Sequence, residues 1–289
     1  MAEGKERALG KSFAIPGAVA VLGFVWIPLL IIGAYSFFES TNGAAVSGKP
    51  SLVTWKEVFA DDFYFSVLLH TLKTAAICVA ICVVVGYPAA LAIASTKGWT
   101  RGLLLGTLVV PFWISYVVRM MAWTEVLAEF GLLNRILLWA GWIDKPLKLL
   151  YTDFAVVLGL TYWLLPFMII NIFVGLESLD RNIERAARTL GASAWSAFWT
   201  VTFPLSLPGL AAGSLICTIL ASSAYITPML LGGPKSAYFG LLIYESLIMQ
   251  LNWPLGAALA ILFFGVIALA IGIFSRFVGF DKLLRKGTA

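Results

Sequence analysis

IERAARTLGASAWSAFWTVTFPLSLPGL, residues 183–210, is a charged, helix-forming stretch set between two apolar runs long enough to cross a membrane. Glu184, Arg185 and Arg188 ride with Ala186 and Ala187 on a helix-favouring piece. Gly191 permits a turn, and a second short helix with Trp195, Phe198 and Trp199 follows. Pro204 and Pro208 are expected to stop that helix before the next span. Two short helices about a glycine, basic on one side and aromatic on the other, suit a lever at a membrane surface that docks onto a soluble partner.

The spacing A-A-x-x-x-G from Ala186 to Gly191, followed by F-P-L-S-x-P-G from Phe203 to Gly209, resembles the "EAA" cytoplasmic loop of ABC importer permeases. One departure stands out: the position six before Gly191, where that family has glutamate, holds Arg185, and the acid lies one residue earlier at Glu184. The resemblance implies that Glu184, Arg185, Ala186, Ala187, Arg188 and Gly191 form a coupling helix seated on an ATPase subunit. An ordinary interfacial helix–turn–helix is the bland alternative.

Outward from this stretch, composition sets the class. The chain has 289 residues, 61% hydrophobic and only 12% charged, against about 25% charged in soluble domains. A mean hydropathy of +0.93 indicates a membrane protein. The net charge of +5 matters less than its placement, because basic residues sort to the cytoplasmic side; no nucleic-acid partner is implied. Six spans are expected, near residues 13–38, 67–95, 102–123, 154–176, 205–231 and 254–277. Residues 1–12 form a cytoplasmic segment, 177–204 the coupling loop and 280–289 a cytoplasmic tail, within a transmembrane domain of 13–279. The first apolar run exceeds the roughly 7–15 residues of a signal-peptide core, so it reads as a retained helix. With both termini inside, the shorter cytoplasmic segments hold most of the basic residues, among them Lys97, Arg101, Arg181, Arg185 and Arg188.

The spans flanking the loop carry polar residues. In the fourth these are Tyr162, Trp163 and Asn171, with Pro166; in the fifth Ser222, Ser223, Tyr225 and Thr227, with Pro228. Such groups in a membrane helix serve helix packing or wall a polar path. The third span holds Tyr116, Arg119 and Trp123. Arg119 could reach the interface, hold an anion among the rings, or pair with Glu125. Residues 125–143 read as an interfacial amphipathic helix, as do residues 238–251, which carry Glu245. Pro88 is expected to kink the second span near its inner end, and His70 and Lys73 to snorkel at its outer end.

Enzyme chemistry finds little support. A single histidine, and Cys78, Cys82 and Cys217 inside spans, favour apolar packing over a metal site. GKERALGKS at residues 4–12 has one residue too many between its glycines for a phosphate loop. Any ATP must be hydrolysed by another chain.

PFWISYVVRMMAW (111–123), GLLN (131–134), TPMLLGGP (227–234) and LIYESLIMQLNWPLGAALA (242–260) resemble the spermidine/putrescine-type permease subunits. The resemblance implies an all-α membrane protein of the type I ABC importer permease fold, six helices with a cytoplasmic coupling helix, in a bacterial inner membrane. It implies a second permease subunit, a paralogue, two ATP-binding subunits that carry ATP and Mg, and a periplasmic solute-binding protein. No cofactor is expected on this chain itself. The expected solute is a polyamine, although related permeases carry aminophosphonates, opines and iron complexes. A polyamine favours acids along its path, yet Glu125 and Glu245 both fall outside the spans; a cation would then be held by rings such as Trp163 or Tyr225. Arg119 would count against a cation if it faced the path. An ion-gradient-driven carrier or channel is the alternative class, but neither an internal repeat nor intramembrane carboxylates are readable.

Overall fold

The computed structural model describes residues 19, 22–41, 45–179, 181–233 and 236–278. In chain order these form α1 (Leu22–Tyr35), a hairpin of β1 (Phe38–Thr41) and β2 (Ala45–Pro50), α2 (Val53–Ala60) and α3 (Asp62–Ser95). Next come α4 (Gly98–Val109), a 3-10 turn (Val110–Trp113), α5 (Tyr116–Leu127), α6 (Leu132–Trp139) and α7 (Asp153–Glu177). The chain continues through α8 (Arg181–Thr189), α9 (Ala194–Ala197), a π turn (Phe198–Thr202) and α10 (Phe203–Ser223). It closes with α11 (Ile226–Leu231), α12 (Phe239–Tyr244), a second π turn (Glu245–Met249) and α13 (Trp253–Val278).

Among the described residues four helices are long and apolar enough to cross a membrane: α3, α7, the path Ala194–Ser223, and α13 as far as Arg276. A fifth span exists if the bent pair Gly98–Trp113 and Tyr116–Trp139 counts as one. Of the expected first span of 13–38, the described residues form α1, and Phe38 already belongs to a strand; residues 13–18, 20 and 21, like the expected cytoplasmic segments 1–12 and 280–289, lie outside the described residues.

The chain divides into two compact units. One comprises residues up to Tyr64 together with Leu242–Gly265. Here Tyr35 packs on Trp253 at 6.2 Å between ring centroids, and the rings of Phe37, Trp55 and Phe59 pack one on the next. Thr54 donates its hydroxyl to the Phe38 carbonyl at 3.2 Å, tying α2 to β1.

The second unit runs over Phe65–Leu241 and from Val266 onward, and its core is built on α7. The thiols of Cys78 and Cys82 on α3, and of Cys217 on α10, donate weakly to the carbonyls of Val157, Thr161 and Leu164 at 3.7, 3.8 and 3.6 Å. These carbonyls lie on one stripe of α7, so the cysteines are packing residues that let helices approach closely. Helix α10 comes nearer still. A Cβ on Gly209 would stand 2.5 Å from the Asn171 carbonyl oxygen and 2.9 Å from Gly175 Cα. Gly209 and Gly213, four apart, form the small-residue face through which membrane helices gain backbone contact. Tyr87 and Ser206 share a buried 2.6 Å hydrogen bond that joins α3 to the same region.

Three expectations need correction. The third span, expected as one helix over 102–123, is broken: Ile114 is extended, Ser115 is non-helical, and the segments on either side differ in direction by 94°. Pro111 lacks an N–H and its ring crowds the preceding turn, so α4 tightens into a 3-10 turn and stops. The fifth span, expected to run to 231, ends at Ser223, with Ala224 extended before α11 begins. The ring of Pro228 would collide with the Ala224 carbonyl in a continuous helix, which places the break at that residue.

Conversely, Pro204 and Pro208 do not stop the helix. The π turn, in which the Phe203 N–H reaches the Phe198 carbonyl, shifts the register ahead of Pro204, which occupies the first turn of α10 where no donor is needed. Pro208 then lies inside α10. Pro88, where a kink is expected, likewise lies inside a helix, α3, which runs on to Ser95.

Candidate functional site

The two broken spans meet. Tyr116, the first residue of α5, shares a hydrogen bond between its hydroxyl and that of Thr227 on α11. Thr227 Oγ1 also lies 3.3 Å from Met120 Sδ. Around this junction the aromatic residues of the 3-10 turn, α5 and α7 interlock. Tyr116 and Trp163 are 4.8 Å apart between ring centroids, Trp163 and Phe167 6.1 Å, Phe112 and Phe167 5.2 Å, and Trp123 and Tyr162 5.5 Å.

Arg119 stands among these rings. Its guanidinium carbon lies 5.6 Å from the centroid of Phe112, 5.9 Å from Tyr116 and 6.0 Å from Tyr162. Only 9% of the residue is exposed, and its Nε has no hydrogen-bond partner. Among the described residues no salt bridge joins Arg119 to Glu125, so the suggested pair does not form. Ring faces carry negative quadrupole charge and hold a cation without a carboxylate.

Of the residues expected along a pathway, Tyr116, Arg119, Trp123, Tyr162, Trp163 and Thr227 come together here. Asn171 lies apart, donating its amide to the Phe167 carbonyl at 2.8 Å. Ser223 bonds back to the Ile219 carbonyl at 2.9 Å, and Ser222 is fully buried without a partner for its hydroxyl. Tyr225 sits exposed in the break itself. Phe112 and Phe167 belong to the cluster but were not singled out from sequence, because nothing in an apolar run distinguishes a ring that faces its neighbours from one that faces lipid. Trp113, next to Phe112, is 88% exposed.

His70 lies 3.5 Å through Nε2 from Asp153 Oδ1, and its ring is 4.9 Å from that of Tyr238. The Tyr238 hydroxyl donates to the same carboxylate at 3.1 Å. Burial, aided by the nearby Asp153 charge, pushes the Tyr238 phenol up, so it stays a proton donor. Among the described residues no three His, Cys, Asp or Glu side chains are grouped to hold a metal.

The second region of interest is the turn between α8 and α9. Gly191 has φ +93°, a conformation that L side chains rarely adopt. Its N–H bonds the Arg188 carbonyl at 3.0 Å, and the Ala192 N–H bonds the Ala187 carbonyl at 3.1 Å. This pair of bonds is a Schellman termination. Ser193 then caps α9 by accepting from the Ser196 N–H at 3.2 Å. Leu190 and Trp195 project from the turn, 90% and 71% exposed, and Ala186 and Arg188 are also exposed. The side chains of Glu184 and Arg185 lie outside the described residues. Behind the turn, Trp195, Phe198, Trp199 and Phe203 stack in sequence, and Phe198 and Phe203 reach Tyr87 on α3.

Just before the turn, Arg101 of α4 pairs with Glu177 at 2.8 Å. It also donates to the carbonyls of Thr96 and Ala94 at 2.9 and 3.2 Å and lies over the ring of Phe173. One guanidinium thus joins the end of α3, the start of α4 and the end of α7.

Comparison with known proteins agrees with this architecture. Residues 83–283 match the family described as binding-protein-dependent transport system inner membrane component. The chain is 37% identical to the spermidine/putrescine transport system permease protein PotB of Salmonella typhimurium, covering 91% of this chain and 90% of that protein. It is 36% identical to the Escherichia coli PotB, covering 91% and 94%. Among solved structures, a bacterial ABC transporter involved in the import of the acidic polysaccharide alginate superposes with a TM-score of 0.70 at 17% identity, covering 95% of this chain and 96% of that one. The fold is that of a type I ABC importer permease. The chain belongs to the family of inner membrane components of binding-protein-dependent transport systems.

Proposed function

We propose that this chain is one of two membrane subunits of an ATP-driven importer for polyamines, putrescine or spermidine. A periplasmic binding protein delivers the solute, and a paralogous permease completes the pathway. Two ATP-binding subunits dock on the cytoplasmic side and carry ATP and Mg; this chain holds neither. Both termini are cytoplasmic. Residues 184–191 form the coupling element, with Gly191 fixing the turn and Leu190 and Trp195 offering an apolar face to the ATPase. Closure of the ATPase dimer pulls on this element, and the aromatic stack to Tyr87 together with the Arg101–Glu177 tie passes the movement into α3, α4 and α7.

The observation that carries the solute class is the similarity to spermidine/putrescine permeases, which extends over nearly the whole chain. The aromatic cluster is its chemical complement. Tyr116, Trp123, Tyr162 and Trp163 provide ring faces at the junction of two broken spans, and Thr227 adds a hydroxyl. Interrupted helices at a substrate path are a recurrent arrangement, since freed backbone groups must be satisfied by protein or water. Ser223 and Tyr225, both exposed, extend this wall at the α10–α11 break.

The test is purification of the chain with whatever subunits accompany it from its native membrane, followed by ATPase assays against a solute panel. Stimulation by binding protein loaded with putrescine or spermidine is the expected result. A chain that stays alone yet transports in liposomes without ATP would overturn it in favour of a gradient-driven carrier.

A further inference from the structure

A buried arginine without a carboxylate is costly unless something else offsets its charge. At Arg119 the offset comes from rings: Phe112, Tyr116 and Tyr162 each place a centroid within 6.0 Å of the guanidinium carbon, while Nε is left without a hydrogen bond. These rings come from three elements, the 3-10 turn, α5 and α7, and are braced in turn by Phe167, Trp163 and Trp123. A cage that holds a guanidinium by its ring faces suits an alkylammonium by the same physics. Two cations cannot share it, because they repel at contact distance in a poorly solvated site.

We propose that the ring cage of Phe112, Tyr116 and Tyr162 is an organic-cation station on the solute path, and that Arg119 is its resident occupant, displaced when a cargo cation arrives. Arg119 is then a specificity-determining residue. It fills the station when no cargo is present and sets the threshold that a cargo ammonium must exceed. Small inorganic cations keep their hydration shell and compete poorly for ring faces. This inference rests on the reading that the solute is an organic cation, and it removes the objection that a pathway arginine excludes one: the arginine marks where a cation is held.

The experiment uses the complete purified transporter in lipid nanodiscs without its binding protein, and measures equilibrium binding of radiolabelled methylguanidinium and, separately, spermidine. Arg119→Gln empties the cage and is expected to bind methylguanidinium about tenfold more tightly than the native complex, the span of one well-placed cation–ring contact. Arg119→Lys retains a resident cation and is expected to match the native complex. Adding Phe112→Leu and Tyr162→Leu to Arg119→Gln is expected to abolish the gain. No gain in an assembled Arg119→Gln complex, or a gain that survives loss of both rings, would overturn the inference. Arg119→Met, which keeps the apolar stem, is the second variant. Failure of both neutral variants to assemble also counts against it, because a displaceable occupant is not needed for folding. Binding-protein-dependent spermidine uptake by the native complex tests the solute reading by itself. A caged methylguanidinium without spermidine uptake would leave the station standing and remove the polyamine.

Discussion

Two glycines show how single positions constrain this chain in opposite ways. Gly191 is needed for its backbone: nothing lies within 4 Å of an added Cβ, yet φ is +93°. A β-branched residue there costs about 1–2 kcal/mol of local strain. That shifts the population of the formed turn by roughly 5–30-fold. Gly191→Val is therefore expected to assemble but to lose most solute-stimulated ATPase activity; unchanged stimulation would remove the turn from the coupling path. Gly209 is needed for its lack of a side chain. Any Cβ meets α7 backbone, which has no rotamer to yield, so Gly209→Leu should destabilise by about 3 kcal/mol or more. Gly272→Leu on α13, where an added Cβ meets nothing within 4 Å, is the control and should melt within a degree or two of the native protein in detergent.

At the scale of elements, the ends of helices carry more of the mechanism than their middles. Arg101 satisfies terminal carbonyls of α3, where a cation also complements the helix dipole. Its ion pair with Glu177 is partly exposed, so Glu177→Gln is expected to cost no more than about 1 kcal/mol. Arg101→Ala also abandons the carbonyls and should lower the melting temperature clearly further; equal effects would mean that the ion pair is the whole contribution. Pro228→Ala removes the collision that ends α10 at Ser223. The expected result is a folded protein in which Thr227 leaves Tyr116 and solute uptake is lost, with ATPase docking retained. The same elements show what was legible in the sequence. Apolar runs mark α3, α7 and α13 because hydrophobicity averaged over about 20 residues is what a bilayer selects. The Gly191 turn was legible because glycine at a helix end has a specific backbone role. The breaks at Ile114 and Ala224 were not, since hydropathy is blind to where a helix stops inside an apolar run. Proline gave mixed guidance: Pro111 and Pro228 end helices, whereas Pro204 is accommodated in the first turn of α10, just after a π turn, and Pro208 lies inside that helix. The aromatic cluster was half legible. Tyr116, Trp123, Tyr162 and Trp163 were singled out, but the positions of Phe112 and Phe167 depend on the 94° bend.

For the whole molecule, the surface itself argues for a membrane setting, with Trp99, Trp113 and Trp139 each more than 80% exposed. Orientation in that membrane follows from the coupling assignment and can be checked with the protein's own chemistry. Cys78, Cys82 and Cys217 are all fully buried. Maleimide reacts with an accessible thiolate, so the native chain should give little background labelling. Ala140, after α6, and Ser196, in α9, are both exposed and lie in segments that the proposal puts on opposite sides. In spheroplasts, a membrane-impermeant maleimide should label Ala140→Cys directly and Ser196→Cys only after lysis. Labelling of Ser196→Cys should fall further when the ATP-binding subunits are present, because α9 then faces protein rather than water. The reverse pattern would put residues 181–204 outside the cell. There no ATPase could reach the Gly191 turn, and the coupling role would fail while the fold and the family membership stood.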